Sequence, residues 1–122
     1  MAIKSMQRSL ERIKTFGWIY WRTEHWDYYA KKRKDLFQFC DILCLDELRT
    51  VAVQACGSDL NQHIEKIKTN EYVIPWLSAN NELQIWAWRK RKKVRGKKAT
   101  YWSPRIVDVI FLNNELFFEE RS

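Results

Sequence analysis

An α/β domain, a mixed β-sheet flanked by helices in the order αβββαββ, is the fold class this sequence predicts, and three observations predict it. Residues 2–16 place Ile3, Met6, Leu10, Ile13 and Phe16 at steps of three and four, the helical period. Residues 36–45 (LFQFCDILCL) and 50–56 (TVAVQAC) are apolar, strand-like runs separated by a short polar segment, which is the spacing of an antiparallel hairpin. A second helical stripe, formed by Leu60, Ile64, Ile67, Val73, Ile74 and Leu77, separates that hairpin from two further strand-like runs. Strands framed by helices make a mixed sheet with helices on its faces. The 122 residues fit one hydrophobic core, so residues 1–122 are read as a single domain.

Taken in order, the first helix meets Gly17, a natural stop. Residues 18–26 are rich in aromatics beside polar residues and read as the first strand. The mostly polar segment 27–34 is expected to loop over the surface, carrying the cluster Lys31, Lys32, Arg33 and Lys34. The two hairpin strands follow, and Gly57 and Ser58 end them. Ser58 or Asp59 is placed to cap the second helix, which is expected over residues 59–77 with interruptions around Asn70 and at Pro75. Residues 82–88 alternate as a strand does, and residues 101–112 form another extended run, broken at Pro104. Between them lie Arg89, Lys90, Arg91, Lys92, Lys93, Arg95, Lys97 and Lys98, eight cations in ten residues, read as a solvated loop or hairpin tip.

Composition narrows the function classes. At 46% hydrophobic and 30% charged residues, with seven Trp, five Tyr and six Phe, the chain is too apolar and aromatic to be disordered. Twenty-two Lys and Arg against fifteen Asp and Glu leave a formal charge of +7, the electrostatic footprint of a polyanion binder, with nucleic acid first among the candidates. The basic run has Trp86 and Trp88 before it and Tyr101 and Trp102 after it, and cations interleaved with aromatic faces suit phosphates and exposed bases. Cys40, Cys44 and Cys56 form no CxxC pair and read as reduced core thiols, while His25 and His63 lack zinc-site spacing. No run approaches the ~18 apolar residues of a membrane span and no export signal is evident, so the expected location is the cytoplasm, the host cytoplasm if the chain is viral.

Asp41 sits inside an apolar strand, and Gln54 holds the corresponding place in the following one. A hairpin can set the two side by side, offering oxygen ligands to a hard divalent cation such as Mg²⁺, which activates water and neutralises a phosphate. Asp35 and Glu47, near strand ends, read first as solvated turn carboxylates, and His63 as a satisfied surface or core histidine.

A helix ending at Gly17 and Trp18, a strand, the hairpin carrying Asp41 and then Gln54-Ala55-Cys56, and a following helix together resemble the PD-(D/E)XK nuclease superfamily, which includes Holliday junction resolvase-like and restriction endonuclease-like proteins. The phrases KKRKDLFQFCDILCLDE and TVAVQACGSD are similar to small, often phage-encoded members, and the resemblance covers roughly residues 5–90. It implies a restriction endonuclease-like core and a Mg²⁺- or Mn²⁺-dependent endonuclease that hydrolyses DNA phosphodiesters, often as a homodimer. Asp41 takes the place of the Asp of the PD pair, with Cys40 where the Pro stands. Gln54 takes the (D/E) position as a neutral ligand, and Cys56 takes the place of the Lys whose ammonium orients the attacking water and stabilises developing phosphate charge. A relocated Lys66 or Lys34 is the candidate substitute for that lysine, and Glu11 for the helix-borne acid of many members. Two alternatives stay open beside the nuclease: a catalytically inactive nuclease-fold module that only binds DNA, and a protein-protein interaction protein using its aromatic surface.

Overall fold

The computed structural model describes residues 2–122. Eleven elements run along the chain as helix α1 (Ala2–Phe16), strands β1 (Ile19–Arg22), β2 (His25–Asp27), β3 (Lys32–Lys34), β4 (Ile42–Leu45) and β5 (Thr50–Cys56), helices α2 (Leu60–Lys68) and α3 (Val73–Ser78), and strands β6 (Glu82–Lys92), β7 (Thr100–Leu112) and β8 (Glu115–Glu120). Six strands form one sheet in the order β1-β4-β5-β6-β7-β8, and β2 pairs with β3 in a separate ribbon. Every neighbouring pair in the large sheet is antiparallel except β5 with β6, the pair joined through α2 and α3. Parallel neighbours need such a crossover, whereas antiparallel ones accept tight turns.

The central strands read as continuous apolar runs because both faces are covered. Met6 and Ile13 of α1 pack over Ile42, Cys44, Val51, Val53, Trp86 and Trp88. On the opposite face, Leu60, Ile67 and Val73 of α2 and α3 pack over Ala52, Cys56, Leu83, Ile85, Ala87, Val107 and Val109. The result is three layers, helix, sheet and helices, with the strands' alternation deciding which side chain enters which layer. Gly17 ends α1 at φ +73°, a left-handed conformation that favours glycine.

Several segments differ from the sequence expectation, each for a local reason. The first strand is cut short at Arg22, because the Thr23 and Glu24 amides both donate to the Asp41 carbonyl and turn the chain out of the sheet. The segment expected to loop over residues 27–34 folds as the β2–β3 hairpin, its turn fixed by the Asp27 carboxylate accepting from the Tyr29 and Ala30 amides. Residues 36–40 are a tight turn rather than strand: Phe37 and Gln38 lie at positive φ, and Leu36 bridges to Cys40. The helical stripe splits into two helices around Asn70, as expected, but α3 runs through Pro75, which falls in its first turn where no intrahelical donor is required.

The largest departures lie at the C-terminal end. The basic run is not all loop, for β6 continues to Lys92 and only the tip lies outside the strands. Strand β7 passes unbroken through Pro104, which pairs with Trp88 on one side while β8 pairs only from Val107 onward, so the missing donor falls on a free edge. Strand β8 extends the expected order by one strand. It is launched by a two-residue turn with Asn113 and Asn114 at φ 52° and 63°, the primed geometry that matches strand twist.

Register places the ends of the strands. The C-terminal ends of β1, β5 and β6 and the N-terminal ends of β4 and β7 lie at one end of the sheet. The β2–β3 hairpin leaves from that end, and so does the part of the β6–β7 pair that outruns its neighbours.

Trp86 is the largest fully buried side chain, and its Nε1 donates to Gln84 Oε1 at 2.9 Å. Replacing it with alanine opens a cavity and strands that acceptor, so Trp86→Ala is expected to cost about 3–5 kcal/mol, read as a lowered midpoint in urea unfolding.

Candidate functional site

At this end of the sheet an open cleft of about 520 Å³ is lined by Glu24, Arg33, Lys34, Asp35, Asp41, Gln54, the β5–α2 turn, His63 and Lys66. Its floor follows from the hairpin. Ile42 pairs with Val53, and the Asp41 amide donates to the Val53 carbonyl at 3.0 Å, so Asp41 stands opposite Gln54 one step further along. Because Val51 and Val53 point to the α1 layer, Gln54 points to the other face, and both polar side chains lie just in front of the α2 layer with only 4% of each exposed.

The two are bonded to one another. Gln54 Nε2 donates to Asp41 Oδ2 at 2.8 Å, and the Ala55 amide donates to the same oxygen at 2.8 Å. Gln54 Oε1 is buried and has no protein partner among the described residues. A buried acceptor without a donor carries a desolvation cost of about 1–3 kcal/mol, which a cation, a donor group or a water entering from the cleft would remove. Burial first, and the neighbouring Asp35 carboxyl second, push the Asp41 carboxyl up to about 9, with Glu24 adding to the effect. The Asp41 carboxyl with Asp35 beside it and an orphaned amide oxygen offer oxygen ligands of the kind a hard divalent cation takes, although Glu24, paired with Arg33, does not close a three-carboxyl cluster with them.

The sequence-expected residues divide clearly. Asp41, Gln54 and Lys66 share the cleft, as do Arg33 and Lys34 of the β2–β3 hairpin. Lys34 is held by Asp27 at 2.8 Å and Arg33 by Glu24 at 3.1 Å. Of the two lysines that might replace the one lost at Cys56, Lys66 is therefore the one without a salt bridge among the described residues. Glu11 is not brought in: it sits on α1, in the opposite layer, bonded to Gln7. Glu47 lines a different surface groove beside Phe16 and Trp18. Asp35 is no solvated turn residue but stands against Asp41, and Glu24, which sequence reasoning passed over, joins it. The signal for Glu24 was slight: an acid just after a strand that pairs with the strand following Asp41.

The β5–α2 turn adds a second group. One ligand atom each of Cys56, Asp59 and His63 lie within 4.8 Å of one another, and His63 Nε2 contacts Asp59 Oδ2 at 3.1 Å. Asp59 makes no side-chain cap to α2 and instead serves this pair and the Gly57 amide. Burial pushes the Cys56 thiol up to about 12, and Cys40 and Cys44 likewise, so all three are unreactive buried thiols.

Lys31 to Lys34 and all eight cations between Arg89 and Lys98 are exposed, and none of those eight is in a salt bridge among the described residues. Of the four interleaved aromatics two are exposed, Tyr101 and Trp102, and two are not. Trp86 and Trp88 are buried under α1, with Trp88 Nε1 donating to Ser9 Oγ at 2.8 Å. Trp102 lies beneath the Arg8 guanidinium at 3.5 Å, with Lys90 Nζ 5.5 Å from its ring centre. No helix among the described residues is long and apolar enough to cross a membrane. No protein-family model, curated protein or solved structure matches the chain.

The raised Asp41 carboxyl gives a pH signature with a definite sign. Unfolded, the group ionises near the usual ~3.9; folded, it keeps its proton to about 9, so the native state binds more protons between these values. Metal-free stability is expected to fall as pH rises from 5 toward 9. Asp41→Asn, which keeps the acceptor and removes the titration, should flatten that slope and raise the melting temperature at pH 8 in EDTA by on the order of 5 °C. Millimolar Mg²⁺ should stabilise the parent protein at pH 8 and not the variant. Thermal unfolding monitored by circular dichroism reads both effects.

Proposed function

We propose that the protein is a metal-dependent endonuclease-like hydrolase of DNA phosphodiesters, of the PD-(D/E)XK kind, acting at the Asp41 and Gln54 cleft. The observation that carries this reading is the buried Gln54 Oε1, without a partner among the described residues, beside Asp41 in a cleft that also holds Lys66. The order α1, β1, the β4–β5 hairpin and α2 follows the layout on which the family resemblance rests, with the β2–β3 hairpin inserted after β1.

Asp41 and Gln54 would hold Mg²⁺ or Mn²⁺, with Asp35 beside Asp41 as a further oxygen donor. Bound there, the cation supplies charge neutralisation for a phosphate and a water of lowered pKa. The chain's own residues do the rest. The bonds from Gln54 Nε2 and the Ala55 amide both fall on Asp41 Oδ2, which fixes the carboxyl's orientation and leaves Oδ1 without a backbone or amide donor. Lys66, exposed on α2 at the cleft wall, is the ammonium that meets the charge developing on the phosphate oxygens, in place of the lysine that Cys56 displaces. The exposed cations of the two hairpins hold the flanking backbone.

A second reading keeps the fold and the binding and loses the cutting. It is favoured by the neutral Gln54 and by Cys56, whose buried thiol can neither donate charge nor attack. Incubation with supercoiled, linear, single-stranded and branched DNA in Mg²⁺ or Mn²⁺ decides between them. The nuclease reading expects cleavage that Asp41→Ala abolishes and that Lys66→Ala slows by ~10²-fold or more. Absent cleavage with tight, salt-sensitive binding selects the second reading, and cleavage that survives Asp41→Ala removes the proposed site.

A further inference from the structure

Strand β6 pairs with β5 only as far as Ala87, opposite Cys56, and β8 pairs with β7 only from Val107 onward. Between those limits β6 and β7 pair with each other alone, Trp88 with Pro104, Arg89 with Ser103, Lys90 with Trp102, Arg91 with Tyr101 and Lys92 with Thr100. The pair is thus a free two-stranded arm. Its strands run about 16 Å beyond the body at ~3.3 Å per residue before the turn is reached. Its base is braced, since Trp88 bonds to Ser9 and Trp102 lies under Arg8, both on α1.

The direction of the arm follows from the parallel step. Because β6 runs alongside β5, it leaves the sheet at the end where β5 delivers Gln54 and Cys56 and where Asp41 begins the β4 side of the hairpin. Alternation gives its faces. Arg89 and Arg91 keep the parity of Ala87 and lie on the cleft side, while Lys90 and Lys92 keep that of Trp88 and lie on the α1 side. The β2–β3 hairpin, with Lys31 and Lys32, leaves the same end of the sheet from its other side.

We propose that the β6–β7 arm is a groove-inserting β-ribbon that seats the protein on B-form duplex DNA and sets the cleft against its backbone. This rests on the reading of the cleft as a phosphodiester site. Two strands stand about 4.8 Å apart, and a B-form major groove about 12 Å wide admits such a ribbon with its side chains. Cations on both faces meet the phosphates of both groove walls. The deep, narrow major groove of an A-form RNA helix does not admit it. Single strands are bound instead on exposed aromatic platforms, and of the four aromatics around the arm Trp86 and Trp88 are buried, which leaves only Tyr101 and Trp102, the latter with the Arg8 guanidinium over its ring, as exposed faces a single strand would need.

The test is fluorescence anisotropy in EDTA, where no hydrolysis is needed, with a labelled 24-base-pair DNA duplex, its single strand and an RNA duplex of the same sequence. The parent protein is expected to bind the DNA duplex at least ~10-fold tighter than either alternative. Arg91→Ala/Lys93→Ala should weaken duplex binding by ~10-fold or more and reduce the salt slope by about two, at ~0.9 per phosphate contact. Lys4→Ala/Lys14→Ala on α1 removes the same charge and should change binding less than ~3-fold, and both doubles, being surface changes, should melt as the parent does. Methylation of guanine N7, an atom of the major groove, should weaken parent binding. Equal or tighter binding of single strands or RNA, equal losses in the two doubles, or indifference to N7 methylation would each overturn the arm proposal. Loss of duplex selectivity with Asp41-dependent cleavage intact sinks the arm alone, and arm-dependent binding without any cleavage in Mg²⁺ or Mn²⁺ sinks the cleft reading alone.

Discussion

The parallel pairing of β5 with β6, from Val51 opposite Glu82 to Cys56 opposite Ala87, sets the position of everything else in the molecule. An antiparallel neighbour would have carried the basic run to the far end of the sheet, away from Asp41. The crossover through α2 and α3 that a parallel step demands instead brings α2 over the sheet face that carries Gln54, and with it His63 and Lys66. It also aims β6 and its continuation past the cleft. The crossover itself is held by Leu60, Ile67 and Val73, all buried, so the same apolar contacts that stabilise the second layer align the cleft's wall.

Against that apolar frame the Asp41 and Gln54 pair is an energetic exception. Two polar side chains are almost wholly buried, one carboxyl is held far above its usual range, and one amide oxygen has no donor among the described residues. A hydrophobic pair of similar volume would satisfy the sheet without these costs. Concentrated strain of this electrostatic kind at the mouth of a cleft is the pattern of a functional site. The ion pairs on the opposite margin contrast with it. Arg105 with Glu120, and Arg121 with Asp108, are two-pronged, partly exposed and fully paired, and they fasten β8 to β7 at modest gain.

What the sequence disclosed, and what it hid, follows from the range of each interaction. Helix α1 and strand β5 were legible to the residue, since the periodicity of Met6 and Ile13 and the unbroken run of residues 50–56 each reflect one local rule. The Asp41 and Gln54 adjacency was legible because a hairpin makes it local. Segments governed by side-chain to backbone bonds were not. Asp27 folding the β2–β3 turn and positive φ at Phe37 and Gln38 leave no periodic trace. The last strand was missed although Asn113-Asn114 between alternating runs is a hairpin signal. Glu24, Asp35 and the exclusion of Glu11 depend on which layer and which sheet end a residue reaches, and only the assembled topology fixes that.

The proposed divalent-cation site is the Asp41 and Gln54 pair at the mouth of the β4–β5 hairpin. The most direct test is anomalous diffraction from crystals of the protein grown with Mn²⁺. The site described here predicts an anomalous peak bonded to the Asp41 carboxylate and Gln54 Oε1. A peak at Cys56, Asp59 and His63 instead, or an Asp41 and Gln54 pair that stays metal-free in crystals where Mn²⁺ binds elsewhere, would contradict it.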